Sequence, residues 1–498
     1  MSTFWIRAIQ LILSLSFLVV IHELGHFTFA KIFKVRVEKF YMFFNPYFSL
    51  LRLKKVNGKW RIRFFAPNVE PSMVEKKDEN GQTVTDRKGN PVYRPMTQDE
   101  LNQLPEDDWR RYPENTEWGI GWLPLGGYCS ISGMVDETTA SGELASEPQP
   151  WEYRSRPAWQ RLPIIIGGVL VNFIAALVIF SAVMYHWGEE YLTLDSAKYG
   201  FEYAEVMHNE GLQDGDFILT INGEVPETPA DIIQMTLIDG KRELTVLKTN
   251  GDTATLVLSE DFDQKVLQTG TGHIMQYRIP FIINEIMDGS PASQAGLQQG
   301  DRIIAVGDTA TLYYKDVTAT LPRYACDSVS LTYLREADTL TCRAFLGDEA
   351  KLGVAVETPL TLLPTKKVTY TFFEAIPAGI SKGWNTLVSY VKQFKLVFTK
   401  QGAKSVGGFG AIGSMFPPVW DWYSFWYMTA FLSIILAFMN IIPIPALDGG
   451  YVLFILVEIL TGKKPSDRFL EIVNSIGFYL LLALVLYANF NDIIKQFF

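Results

Sequence analysis

Leu11-Ile12-Leu13-Ser14-Leu15-Ser16-Phe17-Leu18-Val19-Val20-Ile21-His22-Glu23-Leu24-Gly25-His26-Phe27-Thr28-Phe29-Ala30 is the stretch that decides how this chain is built. Residues i and i+4 share one face of a helix, so His22 and His26 can both reach a single metal ion. Glu23 then stands beside them, where a general base for water activation is needed. The surroundings are apolar on every side, whereas a helix of a water-soluble protein keeps a polar face. The pattern predicts a metal site at membrane depth. No small-residue cleavage site accompanies the apolar run, so it reads as a retained transmembrane helix rather than a secretion signal.

A hydrocarbon core of about 30 Å takes roughly 20 mainly apolar helical residues to cross. Four segments qualify: Phe4 to Phe33, Leu162 to Trp187, Tyr423 to Ile442 and Ile472 to Phe490. Tyr451 to Leu460 is shorter and reads as a partly embedded helix. Lys31, Lys34, Arg36 and Lys39 follow the first span, Arg154, Arg156 and Arg161 precede the second, and Lys463, Lys464 and Arg468 lie between the third and fourth. Basic residues mark cytoplasmic ends. Residues 34–160 and 461–470 are therefore expected in the cytoplasm, with 188–422 and both termini outside. The chain has 498 residues, too many for one ordinary domain, and its net charge of −10 argues against a nucleic-acid partner.

The first cytoplasmic region has two textures. Tyr41 to Pro67 alternates apolar and polar residues around an Asn57-Gly58 turn, which predicts a β-hairpin. Trp118 to Met134 is rich in glycine and apolar residues. Residues 68–117 between them are polar and charged and read as a mobile insertion. A hairpin dipping toward the bilayer requires protein or water to satisfy its backbone.

The outer region contains a repeat. Gly211-Leu212-Gln213-Asp214-Gly215-Asp216-Phe217-Ile218 matches Gly296-Leu297-Gln298-Gln299-Gly300-Asp301-Arg302-Ile303, 85 residues later. Each copy predicts turn, strand, turn, then a helical stretch and further strands. The pattern resembles PDZ domains of bacterial proteases, which capture extended peptides by strand addition. Of the three cysteines, none has zinc-site spacing. Cys326 and Cys342 do not face each other across the hairpin expected at Arg335 to Asp338, so two packed thiols are favoured over a disulfide.

A catalytic zinc site usually has three protein ligands. The remaining histidines, His186, His208 and His273, lie at the outer end of the second span or in the outer region, so a carboxylate is the better third ligand. The third span ends Met439-Asn440-Ile441-Ile442-Pro443-Ile444-Pro445-Ala446-Leu447-Asp448-Gly449-Gly450. Ionisable groups at membrane depth are costly and mark function. Two prolines break the helix and let Asp448 project inward. Asn440 is placed to bond substrate backbone or to orient the metal's ligands.

His-Glu-Leu-Gly-His in a first span, Asn440 to Gly450 in a third, and the repeated outer domains together resemble the bacterial site-2 proteases, in the regulator of sigma-E protease group. The likeness covers nearly the whole chain. Arg156-Pro157-Ala158-Trp159-Gln160-Arg161 with Gly167 to Phe173 resembles that family's second-span entry, although Gly168 departs from an alanine-glycine-proline texture. Pro124-Leu125-Gly126-Gly127-Tyr128 resembles the end of its membrane-reentrant β-loop, and Gly407 to Gly410 its juxtamembrane loop. The insertion at 68–117 is long for the family.

The resemblance implies a polytopic α-helical membrane protein with four transmembrane helices, a membrane-reentrant β-loop and two extracytoplasmic PDZ domains of α+β build. The expected organisation is 1–33, first span with the histidine motif; 34–160, cytoplasmic region; 161–187, second span; 188–279 and 280–360, the two PDZ domains. A juxtamembrane helix and loop at 361–422, the third span with Asp448 at 423–460, and the fourth span at 461–498 complete it. The implied activity is an intramembrane zinc endopeptidase in the bacterial inner membrane, with its PDZ domains in the periplasm. Zn2+ is held by His22, His26 and Asp448, Glu23 is the base, and Asn440, Pro445, Gly126 and Gly127 contact substrate. The implied substrates are single-span proteins: an anti-sigma factor in envelope stress signalling, and remnant signal peptides. The PDZ domains either bind peptide ends or exclude substrates with bulky outer domains. The competing reading is an inactive membrane-anchored PDZ scaffold with a structural zinc.

Overall fold

The computed structural model describes residues 3–68, 72–78, 82–85, 91, 93–124, 126–134, 148–269, 274–399 and 407–497. Leu125 and His273 lie outside these residues. The chain divides into two compact units: residues 1–187 with 370–394 and 406–498, and residues 188–369 with 395–405.

The first unit is a helical bundle carrying a sheet. Helix α1 (Thr3–Ile32) is followed by α2 (Ala158–Trp187), α3 (Phe372–Phe394), α4 (Phe409–Ser414), α5 (Trp422–Ile441), α6 (Asp448–Thr461) and α7 (Asp467–Phe497). Four of these, α1, α2, α5 and α7, are long and apolar enough to cross a membrane. This is a membrane protein, and the large apolar side chains left exposed along α7, such as Ile476, Leu480 and Leu486, suit a lipid-facing surface. Helix α2 is the hub, packing against α1, α3 and α5. Leu11 and Leu18 of α1 meet Phe425 and Leu432 of α5, and Phe180 and Val183 of α2 meet Ala430 and Ile434 of α5. The juxtamembrane helix expected at 361–422 is α3, and it packs within this bundle against α2 and α5. Asp492 of α7 accepts bonds from the Gly408 and Ala411 amides, which caps α4 and ties the fourth span to it.

The sheet is built from β1 (Val37–Met42), β2 (Phe48–Val56), β3 (Lys59–Pro67), β4 (Glu117–Ile120) and β5 (Tyr128–Ile131), in the order β3-β2-β4-β1-β5. Asn57 and Gly58 both have positive φ, as a type I′ turn demands, and Val56 pairs with Lys59 across it. Strand β4 enters the middle of the sheet, parallel to β1 and antiparallel to β2. Glu117, which the sequence places at the end of the polar insertion, is therefore a buried strand residue. Residues ahead of it form a short helix, Gln98–Gln103, with a capping box from Thr97 and Glu100.

Arg52, only 1% exposed, explains why β4 belongs there. Its guanidinium grips the Glu117 carboxylate at 2.8 Å and 2.9 Å, and Tyr41 donates its hydroxyl to the same carboxylate at 2.6 Å. Removing one partner would leave a buried charge unpaired, at a cost of about 3–5 kcal/mol. Burial and the neighbouring carboxylate push the Tyr41 phenol well above its usual titration range.

The second unit holds two large apolar cores, one around Phe201, Met207 and Ile221 and the other around Ile283, Ile303 and Leu331, with a smaller cluster of Leu192, Ile279 and Leu363. The two copies of the repeat fold alike. Gly215 and Gly300 have positive φ, and Asp216 and Asp301, both fully buried, accept from the Gln213 and Gln298 amides before the strands Phe217–Ile221 and Arg302–Val306. Each buried carboxylate meets a different cation: Lys248 at 2.8 Å in the first copy, Arg335 in a two-pronged contact in the second. Cys326 and Cys342 are both free, and Arg335 pairs with Asp338 across the predicted hairpin.

Candidate metal centre

His22 and His26 lie on α1 one turn apart, their rings edge-to-face with centroids 4.7 Å apart. Asp448 is the first residue of α6, after a chain broken by Pro443 and Pro445 and turned by Ala446 at φ 72°. Its Oδ2 lies 3.1 Å from His22 Nε2 and 3.5 Å from His26 Nε2, and the two Nε2 atoms are 3.1 Å apart. Among the described residues, these three form the one cluster of side chains able to hold a metal ion.

The donors fit zinc. Four-coordinate zinc with ligand bonds of about 2.0–2.1 Å sets its ligand atoms roughly 3.3 Å apart. The observed 3.1–3.5 Å triangle has that spacing. Asp448 Oδ2 is buried, yet among the described residues no donor reaches it in hydrogen-bonding geometry. A buried carboxylate oxygen left without a donor and faced by two ring nitrogens is satisfied by a cation. The side chains are only 13%, 9% and 15% exposed, which strengthens every electrostatic interaction among them.

Both rings are held from behind by α2. His26 Nδ1–H donates to the Ile164 carbonyl at 2.9 Å, leaving the Nε2 lone pair to face Asp448. The Asn172 amide lies 3.3 Å from His22 Nδ1. The atom placed there is Nδ2, and Oδ1 has no partner among the described residues; a metal on Nε2 puts the proton on Nδ1, which the amide oxygen would accept once the amide is turned end for end. Asn172 is fully buried, and Ser433 of α5 donates to its backbone carbonyl at 2.7 Å. Gly168 makes room for the rings: a Cβ there would sit 2.5 Å from His26 Nε2 and 2.6 Å from His22 Cε1.

Sequence reading assigned no role to Asn172, Gly168 or Ile164. Asn172 carried a signal, being the single amide side chain in an apolar span. Ile164 carried none, because its contribution is a backbone carbonyl.

The other expected site residues fall as follows. Glu23 is half-buried in the same turn of α1 as His22. Asn440 is half-buried in the last turn of α5, and Pro445 packs its carbonyl against Gly477 of α7. Gly127 abuts the Tyr41 carbonyl and Val19 of α1, one turn before His22, and Gly126 has φ 138°. His208 pairs with Asp214 and His186 meets Trp187 edge-to-face, and neither histidine belongs to the cluster.

Known proteins bear on this geometry. The regulator of sigma E protease of Haemophilus influenzae is 26% identical over 412 residues, covering 78% of this chain and 89% of that protein. Two proteins named "Putative zinc metalloprotease" are also similar. That of Treponema pallidum is 26% identical over 76% of this chain and 88% of its own length. That of Borreliella burgdorferi is 24% identical over 97% of both. The model of peptidase family M50 matches residues 10–87 and 108–484, a span that takes in the histidine motif, the Asn172 support and Asp448, and the chain belongs to that family.

Proposed function

We propose that this protein is a site-2 protease, a zinc metalloendopeptidase that cleaves single-span membrane proteins within the bilayer. The observation that carries the reading is the ligand-spaced triangle of His22, His26 and Asp448 among helices long enough to span a membrane. These three side chains would hold the ion. Bound zinc supplies Lewis acidity, acidifying water and polarising the scissile carbonyl. Glu23 takes the proton of the attacking water and returns it to the leaving amine. The Ile164 carbonyl and the Asn172 amide keep the two imidazoles in the ligating tautomer.

A transmembrane helix must unwind before its peptide bonds are open to attack. Strand β5 is an edge of its sheet and is joined to α1 through Gly127, so an unwound segment added to β5 would run beside the metal ligands. Gly126 and Gly127 allow close backbone approach there, Pro445 shapes the opposite wall, and Asn440 bonds the substrate backbone. The sheet from Val37 to Ile131 serves as the membrane-reentrant loop. The two cores of the second unit are PDZ domains over 188–279 and 280–360, on the periplasmic side of the inner membrane. They bind exposed peptide ends or exclude substrates that still carry a folded outer domain. The substrate class is an anti-sigma factor, with remnant signal peptides as a second.

Glu23→Gln in reconstituted membranes is the test. Cleavage of a single-span substrate should fall at least 100-fold, in line with loss of a general base, while zinc stays bound. Cleavage that persists would sink the mechanism.

A further inference from the structure

A second feature of the bundle is a small cleft, of about 40 Å³, where the approach to α2 meets the end of α6. Tyr153, Arg154, Arg161, Glu458 and Lys464 line it, with Phe454 and Leu470 supplying an apolar wall. None of these residues is a metal ligand. Three cations thus face one carboxylate.

The polar groups are not fully used by the protein. Tyr153 is only 7% exposed, and its hydroxyl has no hydrogen-bond partner among the described residues. An orphaned buried hydroxyl is costly unless something else satisfies it. Arg161, 6% exposed, donates Nε to the Arg156 carbonyl and Nη2 to Glu458, and among the described residues Nη1 makes no further hydrogen bond. Arg154 is paired with Glu152. Among the described residues Lys464 reaches only the Arg154 carbonyl, at 3.5 Å, and is otherwise exposed.

The cleft also sits at a boundary. Arg154, Arg156, Arg161, Lys463 and Lys464 cluster at the ends of α2 and α6, where basic residues mark the cytoplasmic face. Basic recesses between helices at this level suit anionic lipid headgroups, and an apolar wall beside the cations suits the start of an acyl chain.

We propose that this cleft binds the phosphate of a net-anionic phospholipid headgroup, with the Tyr153 hydroxyl, Arg161 Nη1 and the Lys464 ammonium as donors. A phosphate here would bridge the approach to α2 with the end of α6, next to the Arg161–Glu458 pair that already joins them. Those two helices respectively back the histidines and carry Asp448, so the ligand would hold the halves of the metal cluster together.

The full-length chain in detergent is titrated with short-chain phosphatidylglycerol, short-chain phosphatidylcholine or inorganic phosphate while thermal unfolding is followed. Phosphatidylglycerol should raise the midpoint by several degrees at saturation, and phosphatidylcholine, with its cationic choline, should not. Tyr153→Phe and Lys464→Ala should each weaken the phosphatidylglycerol response about tenfold in apparent affinity. Tyr153→Phe keeps the ring and Lys464 is exposed, so the lipid-free midpoints of the variants should match wild type and report intact folding. An equal response to inorganic phosphate would keep the phosphate site and identify free phosphate as its source. Equal stabilisation by phosphatidylcholine, or an undiminished phosphatidylglycerol affinity in the double variant, would overturn the proposal.

Discussion

Helix α1 presents His22 and His26 from the middle of an unbroken 30-residue run, whereas Asp448 stands at the first position of α6 after a chain interrupted by two prolines and an alanine at positive φ. The histidines are brought together by helical period alone: any helix over these residues places them on one face. Asp448 has no such local guarantee. Its position depends on Gly449 lying against the Ile441 and Ile442 carbonyls, where a Cβ would come within 2.4 Å and 2.2 Å of their oxygens. A carboxylate at a helix start also favours the positive end of the helix dipole. One half of the site is robust because it is local, and the other is fragile because it rests on packing.

Substitutions that leave all three ligands in place test this contrast. Gly449→Ala should be the most damaging of them, because the backbone it would strike cannot rotate away. Zinc content, measured by atomic emission on the purified protein, should drop below a tenth of wild type, with activity falling about 100-fold or more. Retained stoichiometric zinc would show that Asp448 is held by something other than this contact. Gly168→Ala comes next. Its added methyl would press on both imidazoles, which have some freedom to shift, so a loss of about 100-fold in zinc affinity is expected from competition with a chelating dye. Asn172→Ala removes an orienting group rather than a ligand, and a loss of about 10–100-fold in zinc affinity is the usual scale for such partners. Equal affinities would mean that α1 holds His22 unaided. At the small end, Leu24→Ala changes the exposed face of α1 between the two histidines. It should alter zinc affinity less than twofold, and a larger change would deny that the α1 half is set by helical period.

The same division runs through the rest of the molecule. The four spans were legible because crossing a bilayer demands apolar length, and each expected span matches a helix of the structure, the first and third overrunning its end by one residue. The Asn57-Gly58 hairpin and the two Gly-Asp turns were legible because their backbone conformations select residue types. Residues near 117 read as the end of a polar insertion and form a strand with Glu117 buried instead. Glu117 is charged and follows a polar stretch, and nothing in its neighbourhood announces that Arg52, 65 residues earlier, will bury with it. Likewise α3 reads as a helix beside the membrane, and only the assembled bundle shows it packed against α2 and α5.

Taken alone, the sequence marked His22 and His26 as a pair sharing one helix face, together with the apolar spans and the turns, since each follows from periodicity or from backbone preference over a few residues. Asp448 was also inferred, by elimination and by its cost at membrane depth. The tertiary structure decided what no short window encodes: that Asp448 closes a triangle with ligand spacing, that a carbonyl and a buried amide of α2 aim the histidines, and that Gly168 leaves them room. These are contacts between segments more than a hundred residues apart, and their energies exist only once the helices are packed.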